Sequence, residues 1–164
     1  MNFFEKLKNR GKSSFPIAVG ASATGKMVKM EQLSDPVFSS GAIGPCCGID
    51  PQEGKIYAPI DGEVVTLMDS LHALGIKGAQ GVEILIHVGI DTVNLNGKGF
   101  RAHVKAKDKI KKGQLLLEID QAVIKEAGYL DTVITVVTNG SEFSSVEVMD
   151  QSDVQVGMDI MQIH

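Results

Sequence analysis

The sequence predicts an all-β protein, a flattened antiparallel β-barrel or sandwich with internal duplication and one or two short helical turns. From Ile17 onward, Val, Ile and Leu cluster in short runs that Gly, Asp, Asn and Pro interrupt, which is typical of short strands joined by turns. Few windows show the periodicity of an amphipathic helix. The strand patterns also repeat along the chain, and a duplicated sheet that closes on itself hides its edges.

The duplication is visible in two pairs of segments. Residues 23–30, A-T-G-K-M-V-K-M, align with residues 60–67, I-D-G-E-V-V-T-L, and both place a Gly before an alternating strand. Residues 109–119, K-I-K-K-G-Q-L-L-L-E-I, align with residues 153–163, D-V-Q-V-G-M-D-I-M-Q-I. In the second pair a turn Gly precedes each apolar strand, because Gly adopts a positive φ without steric cost.

The length of 164 residues suits one domain with one core. We assign residues 1–16 to an N-terminal tail and residues 17–164 to the folded domain. Within the tail, residues 2–10 place Phe and Leu on one helical face among excess Lys and Arg, a pattern that binds anionic membrane surfaces. A frayed, solvated start is the alternative. Helical turns are expected at residues 91–95 and 121–127.

Composition narrows the function classes. The net charge of -4 disfavours a nucleic-acid or polyphosphate binder. The chain contains neither an apolar run long enough to span a membrane nor the apolar core of a signal peptide. These features predict a cytoplasmic protein, peripheral at the inner face of the membrane if residues 2–10 bind it.

Two adjacent cysteines, Cys46 and Cys47, cannot staple distant parts of the fold. We interpret them as free thiols in a reducing cytosol, where they act as small buried hydrophobic side chains.

Two of the four histidines are candidate functional residues. His87 interrupts the apolar run G-V-E-I-L-I-H-V-G-I-D-T-V, and His72 lies before the Gly-rich turn near residues 77–80. This is hairpin spacing, so the two histidines are expected on neighbouring strands, about 5 Å apart at the backbone. His103 lies in a polar stretch and His164 ends the sequence, so both are expected to face solvent.

A lone histidine on an apolar strand is more often a satisfied core residue than a functional one. Two imidazoles side by side bring polar atoms that must be satisfied, and a core gains nothing from them that Val or Leu would not supply. Histidine pairs ligate metals, run acid–base chemistry or act as nucleophiles. Apolar walls would keep such a nucleophile neutral and offer a dry surface to another protein.

Over residues 17–163 the chain resembles the glucose-type enzyme IIA of the bacterial phosphoenolpyruvate-dependent sugar phosphotransferase system. The resemblance is carried by both histidines at the family's spacing and by four further motifs. These are A-P-I-D-G at residues 58–62, I-H-V-G-I-D-T-V at residues 86–93, L-N-G-K-G-F at residues 95–100 and I-K-K-G-Q-L-L at residues 110–116.

The resemblance implies a flattened antiparallel β-barrel sandwich that takes a phosphoryl group from the phosphocarrier protein HPr onto a histidine. The group then passes to a cysteine of a sugar-specific enzyme IIB. By position, His87 is the phosphorylated residue and His72 its partner. Ser70 stands where the family usually has Thr, and it keeps the hydroxyl donor. Gly89 is expected to let backbone N–H groups approach the phosphoryl group.

The family docks its partners on an apolar face with acidic rims, and interface cores of this kind are partly exposed. We therefore expect Phe38 and Leu85 to be partly exposed. The full set of expected partner-binding residues is Asp35, Val37, Phe38, Ile43, Met68, Leu85 and Asp91.

One segment departs from the family pattern. Where the family usually has a glycine- and acid-containing turn, this chain has G-P-C-C-G at residues 44–48. Pro45 replaces an acidic residue and Cys46 a Gly, which puts partner preference in question and places thiols near the site.

Two other classes of protein match parts of the sequence, whereas the interpretation as an enzyme IIA requires no cofactor and no metal. A zinc hydrolase is suggested by the H-x-x-x-D spacing of His87 and Asp91, but the sequence lacks the further H-x-H pair that such sites need. His72 and His87 could still hold zinc incidentally.

A biotin or lipoate carrier would need a lysine in the hairpin after residues 110–119. Asp120 and Gln121 occupy that turn, and the nearest lysine is Lys125.

Overall fold

The computed structural model describes residues 15–164, so the amphipathic helix predicted for residues 2–10 lies outside the described residues. The described chain forms fourteen strands and two short α-helices. The strands are β1 (Ile17–Gly20), β2 (Gly25–Lys29), β3 (Cys46–Pro51), β4 (Lys55–Tyr57), β5 (Gly62–Leu67), β6 (Ala73–Gly78), β7 (Glu83–Val88), β8 (Phe100–Ala102), β9 (Lys109–Ile110), β10 (Leu115–Ile119), β11 (Val133–Val137), β12 (Val146–Val148), β13 (Asp153–Val154) and β14 (Asp159–Ile163). The α-helices are α1 (Pro36–Ser39) and α2 (Gln121–Glu126).

The predicted all-β class is confirmed. The strands form one eight-stranded sheet, in the order β13-β2-β3-β11-β7-β6-β5-β9, and two three-stranded sheets, β1-β14-β12 and β4-β10-β8. All the paired strands are antiparallel.

The helical segments are short. Both predicted turns are present, one as a 3-10 helix at Thr92–Leu95 and one as α2. Further turns occur at α1 and at the 3-10 helices Met30–Gln32, Ala79–Gly81 and Gly140–Glu142, so the structure holds more of them than the sequence indicated. Within residues 15–164, no helix has the length and hydropathy needed to cross a bilayer.

The internal duplication is confirmed by the strand pairing. We call strands β13, β2, β3 and β11 the first half of the eight-stranded sheet and strands β7, β6, β5 and β9 its second half. In the first half β2 pairs with β3 and β13, and in the second half β5 pairs in the same way with β6 and β9. The three-stranded sheets repeat this relation, because β14 lies between β1 and β12 as β10 lies between β4 and β8. The turn glycines before β10 and β14, Gly113 and Gly157, both have the expected positive φ, 87° and 89°.

The two halves meet where β7 pairs with β11, at an approximate two-fold axis. Here His87 lies opposite Ile134, and Leu85 lies opposite Val136. The aligned glycines Gly25 and Gly62 lie opposite Pro51 and Gly78, so positions 48 and 75, each three residues earlier, are equivalent. Their neighbours across the next strands, Ile134 and Leu85, are then equivalent as well.

The eight-stranded sheet buries its two faces in different ways. Alternate side chains of a strand point to opposite faces. Ile84 and Ile86 of β7 belong to the large core cluster, whereas Leu85 packs against a smaller cluster on the other face. This second cluster consists of Leu33, Phe38, Cys46, Ile134 and Val136.

We call the face that carries Leu85 and the smaller cluster the second face of the sheet. The connections after β2 and β5 differ in length, so this face is covered over the first half and open over the second. Residues 30–45 join β2 to β3 and contain α1, whose side chains cover the first half. Only residues 68–72 join β5 to β6. The second half therefore has no equivalent cover from this connection.

We predict that replacing Gly62 or Gly113 by Asn destabilises the protein to different degrees, because the first site is crowded and the second is limited only by its backbone conformation. At Gly62 a Cβ atom would lie 2.4 Å from the carbonyl oxygen of Lys77, whereas at Gly113 no atom lies within 4 Å and only the positive φ of 87° is at issue. Asn tolerates that conformation. Gly62→Asn should lower the free energy of unfolding by about 2–3 kcal/mol, and Gly113→Asn by less than about 1 kcal/mol. Urea denaturation measures both, and equal losses would contradict the packing described.

Candidate functional site

His87 lies on β7 with its side chain on the second face of the sheet. It is half-buried, and Ile134 of β11 and Ala73 of β6 are its neighbours across the strands. The ring of Phe38 packs against the imidazole, with ring centroids 4.9 Å apart. The strand thus holds the imidazole at the edge of the second cluster, and part of the imidazole remains exposed to solvent.

A hydrogen bond fixes which nitrogen of His87 is free to react. Nδ1 lies 2.8 Å from the carbonyl oxygen of Gly89. A carbonyl oxygen only accepts, so Nδ1 carries the proton of the neutral ring and donates it in this bond. The lone pair of the neutral imidazole is therefore on Nε2.

Gly89 supplies this carbonyl because the chain turns sharply after β7. Its φ is +83°, and a Cβ atom there would lie 2.4 Å from Cγ2 of Thr92 and 2.8 Å from the carbonyl oxygen of Leu130. The hydroxyl of Thr92 donates to the carbonyl oxygen of Val88 at 2.5 Å and ties the turn to the strand. The turn thus requires glycine on grounds of both φ and space.

The expectation that backbone N–H groups near Gly89 face a phosphoryl group is wrong for two of them. The Gly89 N–H donates to the carbonyl of Thr132, and the Ile90 N–H donates to the carbonyl of Leu130. Gly89 instead serves the site through its carbonyl oxygen.

His72 lies immediately before β6 and is only 6% exposed. Its carbonyl accepts from the N–H of Val88 at 2.7 Å, which extends the pairing between the strands. Its Nδ1 lies 2.5 Å from Oγ of Ser70. When the hydroxyl donates to Nδ1, the proton of the neutral ring is on Nε2, which is then the donor of the ring.

The two imidazoles meet as the sequence predicts. Their centroids lie 5.1 Å apart, and the rings are nearly perpendicular at 83°. The turn between the strands falls at residues 79–82, and Ala73 rather than His72 stands directly opposite His87. One ring is buried and the other half-buried, so His87 is the more accessible of the two.

Both histidines favour the neutral form. Burial lowers the pKa of His72. Burial also lowers the pKa of His87, as does the neighbouring His72, and these effects outweigh the Gly89 hydrogen bond and the carboxylates of Asp35 and Asp91. A neutral imidazole with its lone pair on Nε2 is a nucleophile at neutral pH.

An apolar cleft of about 490 Å³ lies beside the histidines on the second half of the sheet. Small residues, among them Ala73 and Gly75, form its floor, and Val65, Met68 and Leu85 contribute apolar walls. Among the described residues that line this cleft, none is Lys or Arg.

The predicted partner-binding residues surround the site with different exposures. Val37 and Met68 are 51% and 45% exposed, and Asp91 is exposed. Asp35, Ile43 and Leu85 are partly exposed, and the Asp35 carboxylate caps α1 by accepting from the Val37 N–H.

The expectation that Phe38 is partly exposed is wrong, because it is only 4% exposed. It points from α1 into the second cluster and supports the His87 ring from below. The sequence could not distinguish the inward Phe38 from the outward Val37, since α1 is a single turn.

The two cysteines are free and buried, as expected. They are adjacent on β3 and therefore point to opposite faces. Burial raises the pKa of Cys46 to about 11 and that of Cys47 to about 12, so both remain thiols. Cys46 lies beneath Phe38 and its Sγ contacts the Phe38 carbonyl oxygen at 3.5 Å, so this thiol is near the site without lining its surface.

No group of three or more His, Cys, Asp or Glu side chains within residues 15–164 is arranged to hold a metal ion. Among these residues, the His87 and Asp91 pair therefore has no third ligand of the kind a hydrolytic zinc site needs. His103 and His164 are exposed, as expected, and face Glu118 and Glu147.

The site thus consists of a histidine with its lone pair on Nε2, a second imidazole beside it and an open apolar cleft next to both. Comparison with known proteins gives the family. Residues 17–143 match the model of the phosphoenolpyruvate-dependent sugar phosphotransferase system, EIIA 1, and the chain belongs to this family. The chain thus contains an EIIA domain of this phosphotransferase system.

Curated relatives include free-standing and multidomain proteins. The glucose-specific EIIA component of Halalkalibacterium halodurans is 36% identical over 153 residues, which cover 93% of this chain and 88% of that protein. The corresponding component of Bacillus cereus is 38% identical, over 88% of this chain and 87% of that protein. The β-glucoside-specific EIIBCA component of H. halodurans is 38% identical over 88% of this chain, which spans only 23% of that longer relative.

A solved structure shares the fold. Glucose permease IIA from Mycoplasma capricolum superimposes with a TM-score of 0.80 at 30% identity, covering 89% of this chain and 94% of that one. The architecture predicted from the resemblance is thus confirmed.

Sequence reasoning missed two roles at the site, that of the Gly89 carbonyl as acceptor for His87 and that of the Phe38 ring as its packing partner. The H-V-G order offered a signal for the first, because a glycine two residues after a strand histidine allows a turn that brings its carbonyl back to Nδ1. For the second, only the position of the long connection after β2 shows which side chains are buried.

We predict that adjacent residues of α1 have separate roles. Phe38→Ala removes a buried ring and should lower the free energy of unfolding by about 3–5 kcal/mol. Val37→Ala, at a position 51% exposed, should change it by less than about 0.5 kcal/mol. Chemical denaturation measures both values. A loss at Val37 equal to that at Phe38 would show that α1 is oriented differently.

We also predict a pH dependence that comes from His87. Its pKa is lowered from the ordinary 6.5, so the unfolded chain takes up the proton before the folded one does. Stability is therefore full above about pH 6.5 and falls as the pH drops from there towards the folded pKa. His87→Gln should lose less stability than the parent between about pH 7.5 and about pH 5. Parallel losses in thermal unfolding would mean that His87 is not the source.

Proposed function

We propose that this chain accepts a phosphoryl group from phospho-HPr on Nε2 of His87 and passes it to a cysteine of a sugar-specific enzyme IIB. The observation that supports this most directly is the Nδ1 bond to the Gly89 carbonyl, at 2.8 Å. It orients the ring and leaves Nε2 as the nucleophilic atom. Neutral Nε2 needs no base to remove a proton before attack.

The first step exchanges one P–N bond for another. The lone pair of Nε2 forms a bond to phosphorus as the bond from phosphorus to the donor histidine breaks, in line and through a loose transition state. The His87 ring keeps its Nδ1 proton throughout. In the second step the thiolate of enzyme IIB attacks phosphorus, and the electron pair of the breaking bond returns to Nε2.

His72 stabilises the charge of the transferring group in this proposal. The buried ring lies 5.1 Å from His87, centroid to centroid, and can donate from Nε2 to a phosphoryl oxygen. A dianionic group nearby also raises the pKa of an imidazole, so His72 can gain a proton when the group is in place. Ser70 acts as a positioning residue, since its hydroxyl contacts Nδ1 of His72.

The surroundings suit a carrier. The described cleft residues include no Lys or Arg that would hold a phosphoryl group tightly, and Asp35 and Asp91 lie close enough to affect the His87 pKa. The group is thus held by few charged contacts and can leave as readily as it arrives.

The partner-binding surface in this proposal is formed by Val37, Ile43, Met68 and Leu85, with Asp35 and Asp91 at its rim. This combination favours partners that present apolar side chains among basic ones. We place the reaction in the cytoplasm, where thiols such as Cys46 and Cys47 stay reduced.

The steps above use only side chains and need no cofactor. Zinc held incidentally by His72 and His87 would occupy Nε2 and inhibit transfer. Addition of a chelator should therefore leave the transfer rate unchanged or raise it.

We predict that substitutions of the two histidines block different steps of phosphoryl transfer. His87→Gln should accept no phosphoryl group from phospho-HPr. His72→Gln keeps one amide donor but cannot take up a proton. It should load at His87 and then transfer slowly to the enzyme IIB cysteine. Single-turnover transfer with labelled phosphate, followed by intact mass, measures each step. If His72→Gln cannot be loaded while His87→Gln can, the two roles are reversed.

A further inference from the structure

Comparison of the two duplicated halves indicates which kind of group binds in the open cleft. In the first half Val28 lies opposite Gly48. In the second half Thr66 lies opposite Gly75, because a bulge between Val64 and Thr66 shifts the pairing by one residue. Across the two-fold axis Gly48 lies beside Ile134, just as Gly75 lies beside Leu85. Gly48 and Gly75 are therefore equivalent positions on the second face, and both lack a side chain.

In the first half the side chains of Leu33 and Thr132 fill the space above the glycine. Leu33, which follows the single 3-10 turn at Met30–Gln32, is 6% exposed, and its Cδ2 would lie 2.8 Å from a Cβ atom at Gly48. An aliphatic side chain presented by one helical turn thus closes this half of the sheet.

In the second half the same space is open. A Cβ atom at Gly75 would meet only Val65 at 3.4 Å and Thr66 at 3.8 Å, which are ordinary contacts. The short connection of residues 68–72 carries no counterpart of Leu33, and the space above Gly75 forms part of the 490 Å³ cleft.

We propose that the cleft above Gly75 receives one aliphatic side chain of the protein that donates the phosphoryl group, presented on a helical turn as Leu33 is presented over Gly48. Gly75 is then a specificity-determining residue, because it leaves room for that side chain. This inference rests on the proposed function, with phospho-HPr as the donor.

Distance and charge define the partner further. Gly75 and Ala73, the neighbour of His87, are two residues apart on β6, a separation of about 7 Å. This is close to one helical turn of about 5.4 Å. The aliphatic residue should therefore lie about one turn from the donor's phosphorylated residue.

Basic side chains of the donor should flank this aliphatic residue, because Asp35 and Asp91 lie at the His87 end and Glu83 lines the other end of the cleft.

The test is a graded series, Gly75→Ala, Gly75→Val and Gly75→Leu, assayed for transfer from phospho-HPr. Each larger side chain fills more of the cleft, so the KM for phospho-HPr should rise stepwise, reaching about tenfold or more at Leu. Val148→Leu, at an exposed position of β12, is the matched control and should leave the KM unchanged. Thermal unfolding of each variant shows whether it is folded. Gly75→Ala, whose added Cβ makes only ordinary contacts, keeps the test valid if Gly75→Leu does not fold.

A second arm uses phosphoramidate, a phosphoryl donor too small to contact the cleft. The Gly75 variants should lose transfer from phospho-HPr far more than acceptance from phosphoramidate. An unchanged KM across folded variants would overturn the proposal while leaving His87 as the acceptor. Failure of the parent to be phosphorylated at His87 by phospho-HPr would instead overturn the proposed function.

Two other occupants would also contradict the inference. If a second copy fills the cleft, light scattering should show a dimer that Gly75→Leu dissociates. If the chain's own first residues fill it, deleting residues 1–14 should lower the KM for phospho-HPr. A monomer whose KM is unaffected by this deletion supports the proposal.

Discussion

The hydrogen bond from His87 Nδ1 to the Gly89 carbonyl, 2.8 Å long, is the constraint on which the site depends. It assigns the proton to one nitrogen and the lone pair to the other, so the direction of attack follows from it. The bond requires the chain to turn back directly after β7, and this turn has room only for glycine at position 89. Burial then favours the neutral ring, since it lowers the pKa of His87. Orientation, tautomer and charge of the nucleophile thus all follow from its position at the end of one strand.

Duplication explains why this nucleophile lies on an open surface. Both halves contribute equivalent strands to one sheet, but the long connection covers only the first half with Leu33 and Phe38. The cover ends at the two-fold axis, where Phe38 contacts the His87 ring. His87 therefore lies at the boundary between a closed apolar face and an open one. The proposed carrier function needs this arrangement, because the ring must be held firmly and still be reached by the donor and the acceptor in turn.

The sequence predicted the strands, the duplication and the meeting of His72 and His87, because these depend on local patterns and on hairpin spacing. It also predicted the glycine turns before β10 and β14. It did not predict the burial of Phe38, since this depends on how a connection of irregular structure crosses a sheet face. It assigned Gly89 the wrong hydrogen-bonding role for a similar reason. The partners of its N–H and of the Ile90 N–H, Thr132 and Leu130, are distant in sequence and are known only once β11 is placed beside β7.

The most direct test of this account is to identify the nitrogen that carries the phosphoryl group. The protein, labelled with ¹⁵N at histidine and phosphorylated through phospho-HPr, can be examined by NMR for phosphorus coupling to each ring nitrogen. The account predicts coupling at Nε2 of His87, with Nδ1 still protonated and bonded to the Gly89 carbonyl. Coupling at Nδ1 of His87, or at either nitrogen of His72, would contradict it.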